Sequence, residues 1–92
     1  MIEGLNIFLR AFEEFSGLKK DTFFASTCTV PDIKFPVIKR CYIRLNNPKD
    51  SDEEYIFNGT VNTSSSSIEE CYKDLQKQAI LKLLEEYKDE AV

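Results

Sequence analysis

The chain contains no histidine. That absence removes the commonest general base and the commonest zinc ligand. Cysteine is scarce as well. Cys28, Cys41 and Cys71 are widely spaced, odd in number and form no C-x-x-C pair, so they make a poor metal site. They read as reduced, mostly buried thiols of a cytoplasmic protein, with the nucleus also open. There is no glycine-rich phosphate loop and no nucleophile placed beside a base, so no cofactor and no enzymatic activity is expected. The carboxylates of Glu13, Glu14, Glu85, Glu86 and Glu90 read as solubilising charges on helix exteriors. No run reaches the ~18 apolar residues that a membrane span needs. The start, Met1-Ile2-Glu3-Gly4, lacks the basic segment of a secretion signal, so the sequons at Asn58 and Asn62 carry no weight. Positive charge is in deficit too, with 12 basic residues against 16 acidic ones and a net charge of −4. Nucleic-acid affinity comes largely from Lys and Arg neutralising phosphates, so this balance disfavours it.

What is present is a core. Hydrophobic residues make up 42% of the 92 residues, with seven Phe and four Tyr. That length and composition predict one domain over 1–92.

The first segment is amphipathic. Ile2, Leu5, Phe8, Leu9, Phe12 and Phe15 recur at helical spacing, with Glu3, Asn6, Arg10, Glu13 and Glu14 between them. Gly17 sits where a left-handed C-cap belongs, and Leu18 follows as its apolar partner. Thr22 to Val30 is rich in Thr, Phe and Val and predicts a strand. Pro31 and Pro36 bracket a loop. Val37 to Leu45 predicts a second strand, with Val37, Cys41, Ile43 and Leu45 on one face and Ile38, Arg40, Tyr42 and Arg44 on the other. Asn46 to Glu54 is a solvated hairpin loop. Tyr55 to Val61 predicts a third strand, with Tyr55, Phe57 and Val61 on one face and Ile56, Asn58 and Thr60 on the other. The serine-rich loop before Ile68 ends in a capping box formed by Ser67 and Glu70. A long helix then runs to about Tyr87 or beyond.

The inner stripe of that last helix is Ile68, Cys71, Tyr72, Leu75, Ala79 and Leu83. At about 100° per residue, Leu81 and Leu84 point away from it, beside Lys73, Lys77 and Lys88, and Ile80 sits on the border. A helix that only covers a sheet needs one stripe. The second cluster reads as a face for a partner.

The order helix, three strands, helix resembles the double-stranded-RNA-binding domain. It is most similar to the third, C-terminal domain of Dicer-partner proteins such as TAR RNA-binding protein and Loquacious. The residues that carry the resemblance are Phe24, Cys41-Tyr42-Ile43-Arg44-Leu45, Tyr55-Ile56-Phe57-Asn58-Gly59 and the passage from Ser64 to Leu83. The implied fold is α+β, an α-β-β-β-α chain with two helices on one face of a three-stranded antiparallel sheet. RNA-binding members carry a Gly-Pro-x-His loop where this chain has Val30-Pro31-Asp32-Ile33. They also carry a lysine cluster at the start of the last helix, where this chain has Ile68, Glu69 and Tyr72. Acidic Glu69 and Glu70 suit the helix dipole but repel phosphate.

The resemblance therefore implies a non-enzymatic protein-binding adaptor of RNA silencing. Such a domain docks on the helicase region of Dicer and pairs with a second copy. Carried across, the docking residues are Ile56, Lys77, Ile80, Leu81 and Leu84. The dimer edge is Tyr55, Ile56, Phe57, Asn58, Gly59, Thr60 and Val61, because an unpaired strand edge is a template for another strand. The alternative is a weak double-stranded-RNA binder using Lys19, Lys20, Lys73 and Lys77. A decoy of the same fold would carry the same features. Family members place this domain after two RNA-binding ones, so the chain is expected to be a piece of a longer protein.

Overall fold

The computed structural model describes residues 1–88. The elements are α1 (Glu3–Phe15), β1 (Ala25–Pro31), β2 (Ile38–Asn46), β3 (Glu54–Asn62) and α2 (Ile68–Glu86). The strands form one antiparallel sheet in the order β1-β2-β3. This is the α-β-β-β-α fold that the resemblance implied.

Strand alternation sorts the sheet into two faces. Cys41, Ile43 and Leu45 of β2 and Val61 of β3 are buried toward the helices. Tyr72, Leu75, Ala79 and Leu83 of α2 close over them, and Leu5, Leu9 and Phe12 of α1 complete the core. Gly59 allows α2 to lie close to β3. A Cβ there would sit 3.2 Å from the Cys71 sulfur and 3.6 Å from a Leu75 methyl.

Both helix ends follow local rules. At the end of α1, Gly17 takes φ +71°. The Leu18 amide then bonds the Glu13 carbonyl at 2.8 Å and the Gly17 amide bonds the Glu14 carbonyl at 3.2 Å, which together make a Schellman cap. At the start of α2, the Ser67 hydroxyl accepts the Glu70 amide at 3.1 Å.

Five expectations need correction. Glu13 is not an exterior charge but is only 1% exposed. Its carboxylate accepts the amides of Asp21 at 3.0 Å and Phe23 at 2.8 Å, and Arg10 lies 3.5 Å away. Arg10 also bonds the Phe23 carbonyl at 2.6 Å and pairs with Asp21. This clamp folds the link after α1 back on the helix, so Phe23 plugs the core against Phe12 and Tyr87. The second correction is that β1 starts at Ala25 rather than Thr22 and includes Pro31. The Asn46 side chain holds the preceding segment, accepting the Phe24 amide and donating to the Thr22 carbonyl. Pro31 is tolerated because β1 is an outer strand. Third, Val37 is exposed rather than inward-facing, because it lies in the turn before β2, where its carbonyl is tied by Thr63. Fourth, Phe15 is 79% exposed, since α1 packs on the margin of the core and needs only a narrow stripe. Fifth, Cys28 is exposed on outer strand β1, whereas Cys41 is buried and Cys71 half-buried. Glu90 lies outside the described residues.

The clamp predicts a large stability effect from one glutamate. Removing a buried acceptor strands two amides, and each hydrogen bond to a charged group is worth about 1.5–3 kcal/mol. Chemical denaturation should show Glu13→Ala destabilised by about 3–5 kcal/mol and Glu14→Ala by less than about 0.5 kcal/mol. Similar midpoints for both would exclude the clamp.

Candidate docking surface

The inner side of α2 is committed to the core. The buried Tyr72 hydroxyl donates to the Cys28 carbonyl at 3.0 Å and shares a 2.7 Å hydrogen bond with the Thr29 hydroxyl. Burial pushes its pKa up, and the Thr29 bond opposes that shift. This bolts the start of α2 to β1. On its β3 side, Lys82 pairs with Glu86 at 3.1 Å and lies 6.0 Å from the centre of the Tyr55 ring. On the other flank lies α1. The Gln76 side chain accepts the Leu5 amide at 2.9 Å, joining the two helices near the start of α1. Phe12 meets Tyr87 edge-to-face at 5.3 Å near its end. The helices therefore run side by side in the same direction.

The outward side of this pair carries an apolar patch among charged residues. Leu81 is 65% exposed and Leu84 46%. Between the helices runs a groove of about 420 Å³, walled by Phe8, Ala11, Phe12 and Phe15 on one side and by Leu84 and Tyr87 on the other, with Lys88 beside them. Phe8 and Phe12 stack at 5.5 Å, which stiffens the α1 wall.

The sequence-derived docking residues divide between two faces. Ile80, Leu81, Leu84 and Lys77 share the outer side of α2: Ile80 is half-buried against the core, and the other three are exposed. Ile56 is exposed on the far face of the sheet, where it pairs with Arg44 of β2. The fold does not bring it to the helical surface. Within the dimer-edge set, Val61 is buried and Tyr55 and Phe57 pack against the core, while Ile56, Asn58 and Thr60 face outward. The backbone of β3 pairs with β2 and is the outer strand on that side. The lysines of the RNA-binding alternative also separate. Lys19 and Lys20 follow the end of α1, where Lys20 lies with Arg10, Glu13, Glu14 and Leu18, whereas Lys73 and Lys77 lie in the first half of α2.

The α1 contribution was missed from sequence. Ile7 is 72% exposed and joins Ala11 and Phe15 in an i, i+4, i+8 row outside the core stripe. That row was the available signal, since a single-stripe helix has no use for it.

The three thiols offer a chemical check on this packing. Burial, with Cys41 alongside, pushes the Cys71 thiol from its ordinary 9.0 up to about 11. A raised folded-state value means this group stabilises the fold below pH 9 and loses that contribution as pH rises toward 11. Thiolate is the reactive form. Iodoacetamide at pH 8.5, followed by mass spectrometry, should modify Cys28 first, Cys71 far more slowly and Cys41 only on unfolding. Equal rates at Cys28 and Cys71 would contradict the packing of α2 on β3.

Among the described residues, no three Cys, Asp or Glu side chains gather as metal ligands do, and no helix is long and apolar enough to cross a membrane. Comparison of the chain with models of known families, with curated proteins and with solved structures gave no match.

Proposed function

We propose that this domain is a non-enzymatic protein-binding module that docks on the helicase region of a Dicer-type enzyme as an adaptor of RNA silencing. The observation that carries the protein-binding part is the apolar outer surface of the helix pair, where Phe15, Leu81 and Leu84 stand in solvent beside a groove walled by aromatics. Apolar side chains clustered at this density mark interaction sites, since scattered ones need no groove. The Dicer assignment rests on the resemblance in element order and on the residues that replace the RNA-contacting ones. Glu69 and Glu70 stand in the first turn of α2, and Asp32-Ile33 stand in the loop between the first two strands. Both changes favour a protein partner over phosphate.

The same reading assigns β3 as an edge for a second copy. It is supported by the position of β3 as one of the sheet's two outer strands and by the small or polar side chains Asn58, Gly59 and Thr60 in its middle.

The test is a paired titration of the domain at moderate salt, once with a Dicer helicase fragment and once with an RNA duplex of about 20 base pairs. Binding to the protein and none to the duplex is expected. The double variant Leu81→Arg, Leu84→Glu should keep the fold, because both side chains are exposed, and should weaken helicase binding by about 100-fold or more. Salt-sensitive duplex binding would transfer the function to RNA. Unfolding of the double variant would make the leucines part of the core and remove the surface.

A further inference from the structure

We propose that β1 is a self-complementary edge on which a second copy of this chain lays its own β1 antiparallel, about a two-fold axis at Thr27. The inference goes beyond the adaptor reading and does not depend on it. It places a pairing edge on the margin of the sheet opposite β3.

The backbone is the first argument. β1 has a strand neighbour on one side only, and Ser26 to Pro31 are all exposed. The register fixes which of its groups are left over. The Asn46 amide bonds the Phe24 carbonyl and the Asp32 amide bonds the Ile38 carbonyl, so the even-numbered residues turn their N–H and C=O toward β2. The odd-numbered ones turn theirs outward. At one end of this outward row, Glu13 already takes the Phe23 amide. At the other end, Pro31 has no N–H to give. The open donors are therefore those of Ala25, Thr27 and Thr29, a set symmetric about Thr27. A second β1 centred there pairs Thr27 with Thr27 and Ala25 with Thr29. Every open N–H and C=O of the set is then bonded, and Pro31 falls opposite the occupied Phe23.

The side chains are the second argument. In this register Phe24 of each copy lies opposite Val30 of the other, in a non-hydrogen-bonded pair where side chains approach closest. The fold leaves both in water, at 65% and 45% exposure, and both face the open side of the sheet. Ser26 meets Cys28, and both are small. No residue from Thr22 to Pro31 is charged, in a chain that is 30% charged, so self-pairing sets no like charges face to face. Arg40 and Arg44 share the open face but sit one strand further in, and Arg44 is paired with Glu54. Outer strands are normally blunted by lysines, and this one carries none. A foreign strand would find the same backbone groups, but the match of Phe24 with Val30 belongs to β1 paired with itself.

The test uses the intact chain from about 10 μM to about 1 mM, since a ladder this short gives a weak dimer. Analytical ultracentrifugation should show a monomer passing into a dimer. Over the same range, hydrogen exchange at the Ala25, Thr27 and Thr29 amides should slow at least about tenfold. The outward amides of β3, those of Ile56, Asn58 and Thr60, should stay fast. Thr27→Glu and Thr27→Lys each set like charges at the two-fold axis and should each weaken association at least about tenfold. An equimolar mixture of the two should restore it. Thr27 is exposed and its N–H points away from β2, so both variants should fold, which circular dichroism checks. Should either unfold, the exchange pattern of the native chain decides.

Protection at both edges would support the inference and make the assembly open-ended. A monomer up to about 1 mM would overturn it, as would Thr27 variants that associate like the native chain and gain nothing on mixing. Protection confined to Ile56, Asn58 and Thr60 would also overturn it and leave β3 as the pairing edge.

Discussion

A buried carboxylate sets the geometry of this domain. Glu13 holds the amides of Asp21 and Phe23, and Arg10 reaches the same link from the neighbouring turn. Burying a charge is costly unless it is paired and hydrogen-bonded, and here both conditions are met. The clamp turns the chain sharply after α1 and delivers Phe23 into the core. Phe23 then meets Phe12 and Tyr87, one from each helix. The end of α1 is thereby held beside the end of α2, while Gln76 holds its start. The crease between the helices is a consequence of these two attachments.

Two layers of economy follow. The sheet needs one helical stripe to cover it, and α2 supplies that stripe through Tyr72, Leu75, Ala79 and Leu83. The first helix then has little sheet left to cover and contributes Leu5, Leu9 and Phe12 from one side. Its remaining apolar residues, Ile7, Ala11 and Phe15, have no role in the core. Leaving such side chains in water is unfavourable by about 25 cal/mol per Å² of apolar area that could otherwise be covered. A surface maintained against that gradient is understandable if a partner covers it.

Much of this was legible in the sequence. The periodicity of α2 identified its buried stripe and, by subtraction, the exposed Leu81 and Leu84. Alternation in β2 separated Cys41, Ile43 and Leu45 from Arg40, Tyr42 and Arg44. Gly17 and Ser67 marked helix ends by backbone chemistry that depends only on near neighbours. What escaped depended on distant contacts. Glu13 looks like any surface glutamate until the link eight to ten residues later folds over it. Phe15 matches the helical stripe, yet it lies where α1 has passed the edge of the core. Ile56 alternates correctly onto the outward face of β3, and it was the family resemblance, not the alternation, that grouped it with Leu81 and Leu84. The candidate site was therefore half visible, with the α2 wall readable and the α1 wall hidden.

The central claim is that partner binding uses the helical crease and not the open face of the sheet. Methyl chemical-shift mapping of the domain titrated with a Dicer helicase fragment tests it most directly. The account predicts that Ala11, Leu81 and Leu84 shift and broaden while Val30, Ile38 and Ile56 stay unchanged. Shifts confined to Val30, Ile38 and Ile56 would place the partner on the sheet and contradict it.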